Sequence, residues 1–124
     1  ILTCLDGYFP ESFEMMSLKG AELLIWINGR PYIEDYIVKT VMFLDYVDMI
    51  CTNDCYGTMI AEYPSTIKKY CAVPQESYIT DELNLKQLRI FRKRSRFFHQ
   101  RRPELYKDIV KDWPVWERYN KLTE

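Results

Sequence analysis

The first twenty-seven residues constrain this chain most, because two short apolar runs enclose one helical stretch. Ile1-Leu2-Thr3-Cys4 and the longer run AELLIWI at residues 21–27 are too short for helices, which predicts buried strands. Between them Asp6-Gly7 marks a turn, and Pro10 stands where a first helical residue is favoured. Phe13, Met16 and Leu18, with Met15 beside them, recur near helical spacing over residues 10–19. Glu11 and Glu14 suit the positive end of that helix dipole and Lys19 its negative end. Gly20 then supplies the residue that ends the helix. Strand, helix and strand in so short a span make a βαβ unit, a parallel pair joined right-handedly. The chain belongs to the α/β class.

The rest of the sequence extends this plan. Asn28-Gly29-Arg30-Pro31 reads as a loop at the carboxyl end of the second strand. Residues 33–46 predict a second helix, with Ile33, Ile37, Val41 and Leu44 along one stripe and Tyr36, Thr40, Phe43 and Val47 beside it. Short strands are expected at residues 49–52 and 58–61, with a turn over 53–57 between them. Pro64-Ser65-Thr66 and Pro74-Gln75 punctuate the middle. Residues 77–83 alternate in a way that suits a sheet-edge strand, Tyr78 and Thr80 sharing one face. Asn84 is a suitable N-cap for a helix through Leu85, Leu88 and Phe91. Beyond Ser95 the chain is basic and aromatic, with Pro103, a short helix-like stretch at 104–111, and Pro114.

Charge matters here for its distribution. Lys and Arg number 17 and Asp and Glu 18, a net charge of −1. Residues 1–88 nevertheless carry 6 basic and 13 acidic side chains, and residues 89–124 carry 11 and 5. A basic, aromatic C-terminal segment can be a nucleic-acid footprint, or a segment that docks on an acidic surface, this chain's own first part included. With 48% apolar and 15% aromatic residues the chain can bury a core. No window approaches the roughly 18 uncharged apolar residues of a membrane span. Residues 1–10 hold no Lys or Arg and already carry Asp6, unlike a secretory signal. The chain opens on Ile1, inside an apolar run, as a truncated sequence would. Cys51 and Cys55 are spaced neither as a redox pair nor as a usual zinc knuckle, and His99 is the sole histidine, so no metal is expected. Free thiols of a cytoplasmic protein are the expectation for Cys4, Cys51, Cys55 and Cys71.

In open α/β sheets ligands collect at the carboxyl ends of the strands, here Cys4-Leu5-Asp6, Asn28-Gly29-Arg30 and Asn53-Asp54. Cys4 precedes a tight turn that leads into a helix. That placement projects the sulfur off the sheet edge near a helix N-terminus, as a nucleophile requires, and leaves backbone N–H groups, Leu5's first, free to stabilise an oxyanion. The other reading is a small buried hydrophobe, which describes most free cysteines.

Cys4-Leu5-Asp6-Gly7-Tyr8-Phe9-Pro10-Glu11, followed by Leu18-Lys19-Gly20-Ala21-Glu22-Leu23, resembles the nucleophile segment of the nitrilase, or carbon–nitrogen hydrolase, superfamily. Leu5 stands where that family often has an aromatic residue. Ile50-Cys51-Thr52-Asn53 is similar to its later strand ending in Asn, and Gly57-Thr58-Met59-Ile60 to the strand after it. Arg101-Arg102-Pro103-Glu104-Leu105-Tyr106 resembles the ending of many carbamoyl- and amide-hydrolysing members. The match is weakest over residues 61–76. The resemblance implies the C-terminal half of a four-layer α-β-β-α sandwich over residues 1–111, with a tail at 112–124. It implies cleavage of an amide, carbamoyl or nitrile C–N bond through a thioester or thioimidate on Cys4, without a cofactor. The family's Glu base and its Lys precede the cysteine, where this sequence has three residues, so the chain alone is expected to be inactive. Asp6, Glu11 and Asn53 take structural places near the site, and Trp26, Asn28 and Arg30 are the expected pocket wall. Asn28 would orient an amide and Arg30 bind a carboxylate or carbamoyl oxygen, unless Asn28-Gly29 is only a turn and Arg30 is solvated. The expected partners are the small substrate, the missing N-terminal half and a second copy through residues 10–19 and 33–46. The competing class is an interaction module whose basic tail, interleaved with Phe91, Phe97, Phe98 and Tyr106, binds an acidic partner or nucleic acid.

Overall fold

Five strands lie side by side in chain order in the computed structural model, which describes residues 1–30, 34–54, 56–73 and 75–112. Strands β1 (Leu2–Thr3), β2 (Leu23–Ile27) and β3 (Asp48–Thr52) are parallel. Strands β4 (Thr58–Glu62) and β5 (Thr66–Cys71) continue the sheet as an antiparallel hairpin with a register shift at Ile60/Ala61. Helix α1 (Pro10–Leu18) joins β1 to β2, and helix α2 (Asp35–Asp45) precedes β3. Both crossovers step the same way across the sheet, so their right-handedness puts both helices on one face. The end of α1 meets the sequence expectation: Gly20 has φ 99°, its N–H donates to Ser17, and Ala21 N–H donates to Met16. That is a Schellman closure.

The core lies between this helical layer and the sheet. Register sets Leu2 beside Trp26, Leu24 beside Met49, Trp26 beside Cys51, and Met49 and Cys51 beside Ala61 and Met59. With Phe13 of α1 and Val38, Val41 and Met42 of α2 these form one buried cluster. Each large side chain buried there contributes about 1.5–3 kcal/mol. The period of two sends Leu23, Ile25, Ile27 and Ile50 to the opposite face, where Ile27 is 46% exposed. Residues 21–27 thus form a strand with one covered face, rather than one buried throughout.

Two further expectations change. Helix α2 buries Val38, Val41, Met42 and Asp45, while Tyr36, Phe43 and Leu44 are more than half exposed; Ile33 lies outside the described residues. Apolar residues surround most of this helix, and the sheet contacts only one stripe of it. The edge strand is β5 at Thr66–Cys71, in the stretch read only as punctuation, and residues 78–84 carry no regular structure. Alternation at 77–83 does not bury a face, since Tyr78 is 89% exposed. The charges of Lys68 and Lys69 suit an edge.

Helix α3 (Leu85–Arg94) starts as expected, Asn84 Oδ1 accepting the Gln87 N–H at 3.0 Å, and buries Leu88. The basic segment folds onto the acidic first part. Arg89 holds Glu22 through two bonds of 2.7 and 2.8 Å, and Arg101 donates to Glu14 at 2.8 Å. Arg92 donates to the Tyr46 carbonyl at 2.6 Å, to Ser17 Oγ at 3.1 Å and to the Ala21 carbonyl. Phe97 and Phe98 lie against Tyr46, and Phe91 against Tyr63. The stretch 104–111 holds 3-10 turns, Pro103–Leu105 and Lys107–Val110. Of the expected tail only Asp112 is described. Among the described residues no helix is long and apolar enough to cross a membrane.

Candidate active site

Cys4 follows β1 directly and opens a 3-10 turn, Cys4–Tyr8, that leads through Phe9 into α1. Its φ is 41°, a left-handed conformation that few residues other than glycine adopt. A side chain held there leaves the strand direction sharply, at the sheet's carboxyl end. The N–H groups of Cys4 and Leu5 open the turn and have no acceptor within it. Leu5 itself is 61% exposed. Asp6 closes the turn: its carboxylate accepts the Thr3 backbone N–H at 3.0 Å. Glu11 is exposed in the first turn of α1.

Trp26 supports this turn from beneath. It is fully buried, with its ring edge-on to Tyr8 and Phe13, and its indole N–H donates to the Cys4 carbonyl at 3.0 Å. It is therefore no exposed pocket wall: parity along β2 points it into the helix-covered core. Gly7 makes this contact possible, because a Cβ there would lie 2.2 Å from Trp26 Cε2.

Asn28 follows Ile27, which pairs with Thr3, so Asn28 and Cys4 are the next residues on adjacent parallel strands. Its backbone N–H donates to the Thr52 carbonyl at 2.9 Å, and its side chain is 4% exposed. Asn28 Nδ2 donates to Glu34 Oε2 at 2.6 Å, and Tyr8 Oη donates to Glu34 Oε1. Glu34, the N-cap residue of α2, is 5% exposed. Burial first, and the Glu34 carboxylate second, push the Tyr8 phenol up to about 12, so it stays a donor. Arg30 is half-buried, with its guanidinium 4.6 Å from the Tyr8 ring centre and its backbone N–H on Asn53 Oδ1 at 2.9 Å. Asn53 Oδ1 also accepts the Asp54 N–H, and Asn53 N–H donates to Thr58 Oγ1 at 3.0 Å. Asn53 thus links the ends of β2 and β3.

Glu34, Tyr8 and Gly7 carry much of this arrangement and were not singled out as site residues from the sequence. For Gly7 the Asp-Gly turn was a signal. For Glu34 there was none, since an acidic residue at a helix start reads as a dipole partner. The other described thiols stand apart. Cys51 is buried and pushed up to about 12, chiefly by desolvation, which makes it inert. Cys71 Sγ lies 3.0 Å from Ser77 Oγ, whose hydrogen bond holds the thiol below its ordinary range.

No family model matches the sequence. The chain is 27% identical to the citrullinase of Francisella tularensis subsp. tularensis (strain SCHU S4 / Schu 4), over 89% of this chain and 47% of that protein. In structure it is similar to a carbon-nitrogen hydrolase from Helicobacter pylori G27, with a TM-score of 0.79 at 20% identity, covering 90% of this chain and 48% of that one. It is also similar to Nit3 of Saccharomyces cerevisiae, a member of branch 10 of the nitrilase superfamily, with a TM-score of 0.66 at 17% identity, covering 81% and 42%. The α/β fold expected from the sequence is thus a nitrilase-type fold, and the chain spans about half the length of these proteins.

Proposed function

We propose that the chain is the nucleophile-bearing, C-terminal part of a carbon–nitrogen hydrolase that cleaves a non-peptide C–N bond through Cys4. The observation that carries this reading is the left-handed Cys4 at a strand-to-helix turn, its carbonyl fixed by Trp26. The thiolate adds to the carbonyl carbon, and the oxyanion takes the Leu5 N–H. The nitrogen leaves with a proton from the general acid, and water then releases the thioester as an acid. The family resemblance assigns the proton transfer to a Glu, and further oxyanion support to a Lys, upstream of the cysteine. The likeness to a citrullinase favours the carbamoyl branch over nitriles. The open sheet face, with Leu23, Ile25, Ile27 and Ile50, suits packing against the rest of such a domain, and the exposed Met15, Tyr36, Phe43 and Leu44 suit a second copy. The reading as an acidic-partner or nucleic-acid module gains no support, because Arg89, Arg92 and Arg101 are engaged internally.

The test is a low dose of iodoacetamide at neutral pH with peptide mapping, on the chain alone and mixed with a candidate N-terminal half. Labelling of Cys4 ahead of Cys51, sharpened by the added half, is expected. A Cys4 as unreactive as Cys51 in both samples removes the nucleophile and the proposal with it.

A further inference from the structure

A carboxylate accepts hydrogen bonds and donates none. Glu34 is buried at the start of α2 and takes one bond from Tyr8 and one from Asn28. The amide of Asn28 must therefore turn its NH2 toward Glu34, and with the backbone of Asn28 pinned to Thr52 its oxygen points the other way. Among the described residues Asn28 Oδ1 is buried and has no hydrogen-bond partner. Buried polar atoms of native proteins rarely remain so, and an exception next to a nucleophile has the form of a place kept for a ligand. What it lacks is a donor.

Resting on the reading of Cys4 as the nucleophile, we propose that Asn28 Oδ1 accepts an N–H of the substrate, with Glu34 as the positioning residue that holds the amide in that orientation. The site then takes a carboxamide or ureide, whose nitrogen carries hydrogens, in preference to a nitrile, whose nitrogen carries none. A site built around an acceptor rejects the analogue lacking the donor, because the acceptor stays unpaired in that complex. This separates two substrate classes that a thiol nucleophile alone treats alike. Tyr8 serves the same end by occupying the other Glu34 oxygen, so that Asn28 meets a fixed partner.

Two reagents make the test, iodoacetamide and iodoacetonitrile. Both give up iodide to a thiolate and form one S–C bond, and they differ in an amide against a nitrile. Second-order rates are measured by peptide mapping at Cys4 and, as an internal reference for intrinsic reactivity, at Cys71. The amide-to-nitrile ratio at Cys4 is expected to exceed that at Cys71 by about tenfold, the worth of one well-placed hydrogen bond. In Glu34→Gln the new side chain both donates and accepts, so Asn28 loses its enforced orientation. The Cys4 ratio is then expected to fall toward the Cys71 value. Asn28→Leu is expected to lower the ratio in the same way. A wild-type Cys4 ratio equal to that of Cys71, or one unmoved by both substitutions, overturns the acceptor role and leaves the nucleophile standing. Failure of both reagents at Cys4 overturns the nucleophile, and the acceptor role with it.

Discussion

Gly7 is short of a side chain because the Trp26 indole fills the space where one would be. An indole packed edge-on to Tyr8 and Phe13 cannot yield easily, so Gly7→Ala is expected to cost about 1–3 kcal/mol. The same displacement breaks the bond to the Cys4 carbonyl, so slower alkylation of Cys4 should accompany the lower melting temperature. Asp45 gives a second residue-scale test. Burial, with the charge of Glu14 adding to it, raises its pKa to about 6 against the partial opposition of Arg92. A carboxyl group whose folded pKa is raised contributes stability at low pH and loses it as pH rises through the folded value. Asp45→Asn is therefore expected to gain stability over the parent between about pH 4 and 6 and to keep the gain above that. The gain is at most about 3 kcal/mol from a shift of this size, and none is expected near pH 3. Urea titrations across that range measure it.

Elements were legible where local chemistry and tertiary demand agree. The Asp6-Gly7 turn, Pro10, Gly20 and the Asn84 cap are strong local signals, and α1, β2, β3, β4 and α3 fall where they point. The α2 stripe holds at Ile37, which packs against the core, and at Val41, but not at Leu44, because apolar Phe43 and Leu44 compete with Val38 and Met42 and only the sheet chooses between them. Strand β5 was missed because Lys68, Lys69 and Tyr70 read as surface, whereas its pairing comes from β4 across a hairpin. At the site, Cys4 and Asn28 could be found from strand ends, but Glu34 could not. Its role depends on two residues 26 and 6 positions away meeting at one carboxylate. Arg92 shows the same dependence on distant contacts, since it ties α3 to two backbone carbonyls and to Ser17. Removing it leaves those carbonyls without their charged donor, at about 1–3 kcal/mol each when buried. Arg92→Met is expected to speed hydrogen exchange in α3 and residues 98–110 more than in β2 and β3.

At the scale of the molecule the sheet has unlike faces. One is sealed by α1 and α2, and the other shows Ile27 and half-buried Leu23, Ile25 and Ile50. Ile27→Lys removes apolar surface without touching the core, so it is expected to shift stability by no more than about 0.5 kcal/mol. It should also block the effect of an added N-terminal half on Cys4, and leave association through the exposed Met15, Tyr36, Phe43 and Leu44 unchanged in sedimentation. A Cys4 response to the added half that survives the substitution would place that contact on another surface.

The sheet's strand order is also the order in which a ribosome delivers it. Each strand emerges next to the one it pairs with, so no strand waits for a later neighbour before it can join the growing edge. The acidic sheet and its two helices are thus complete before residue 89 leaves the tunnel, and the arginines arrive last, onto Glu22 and Glu14 already in place. Synthesis in that sequence keeps the most basic part of the chain from pairing with acidic residues at random. A chain permuted to begin at α3 would lose that protection, and should form misfolded, aggregation-prone intermediates during translation that the natural order avoids.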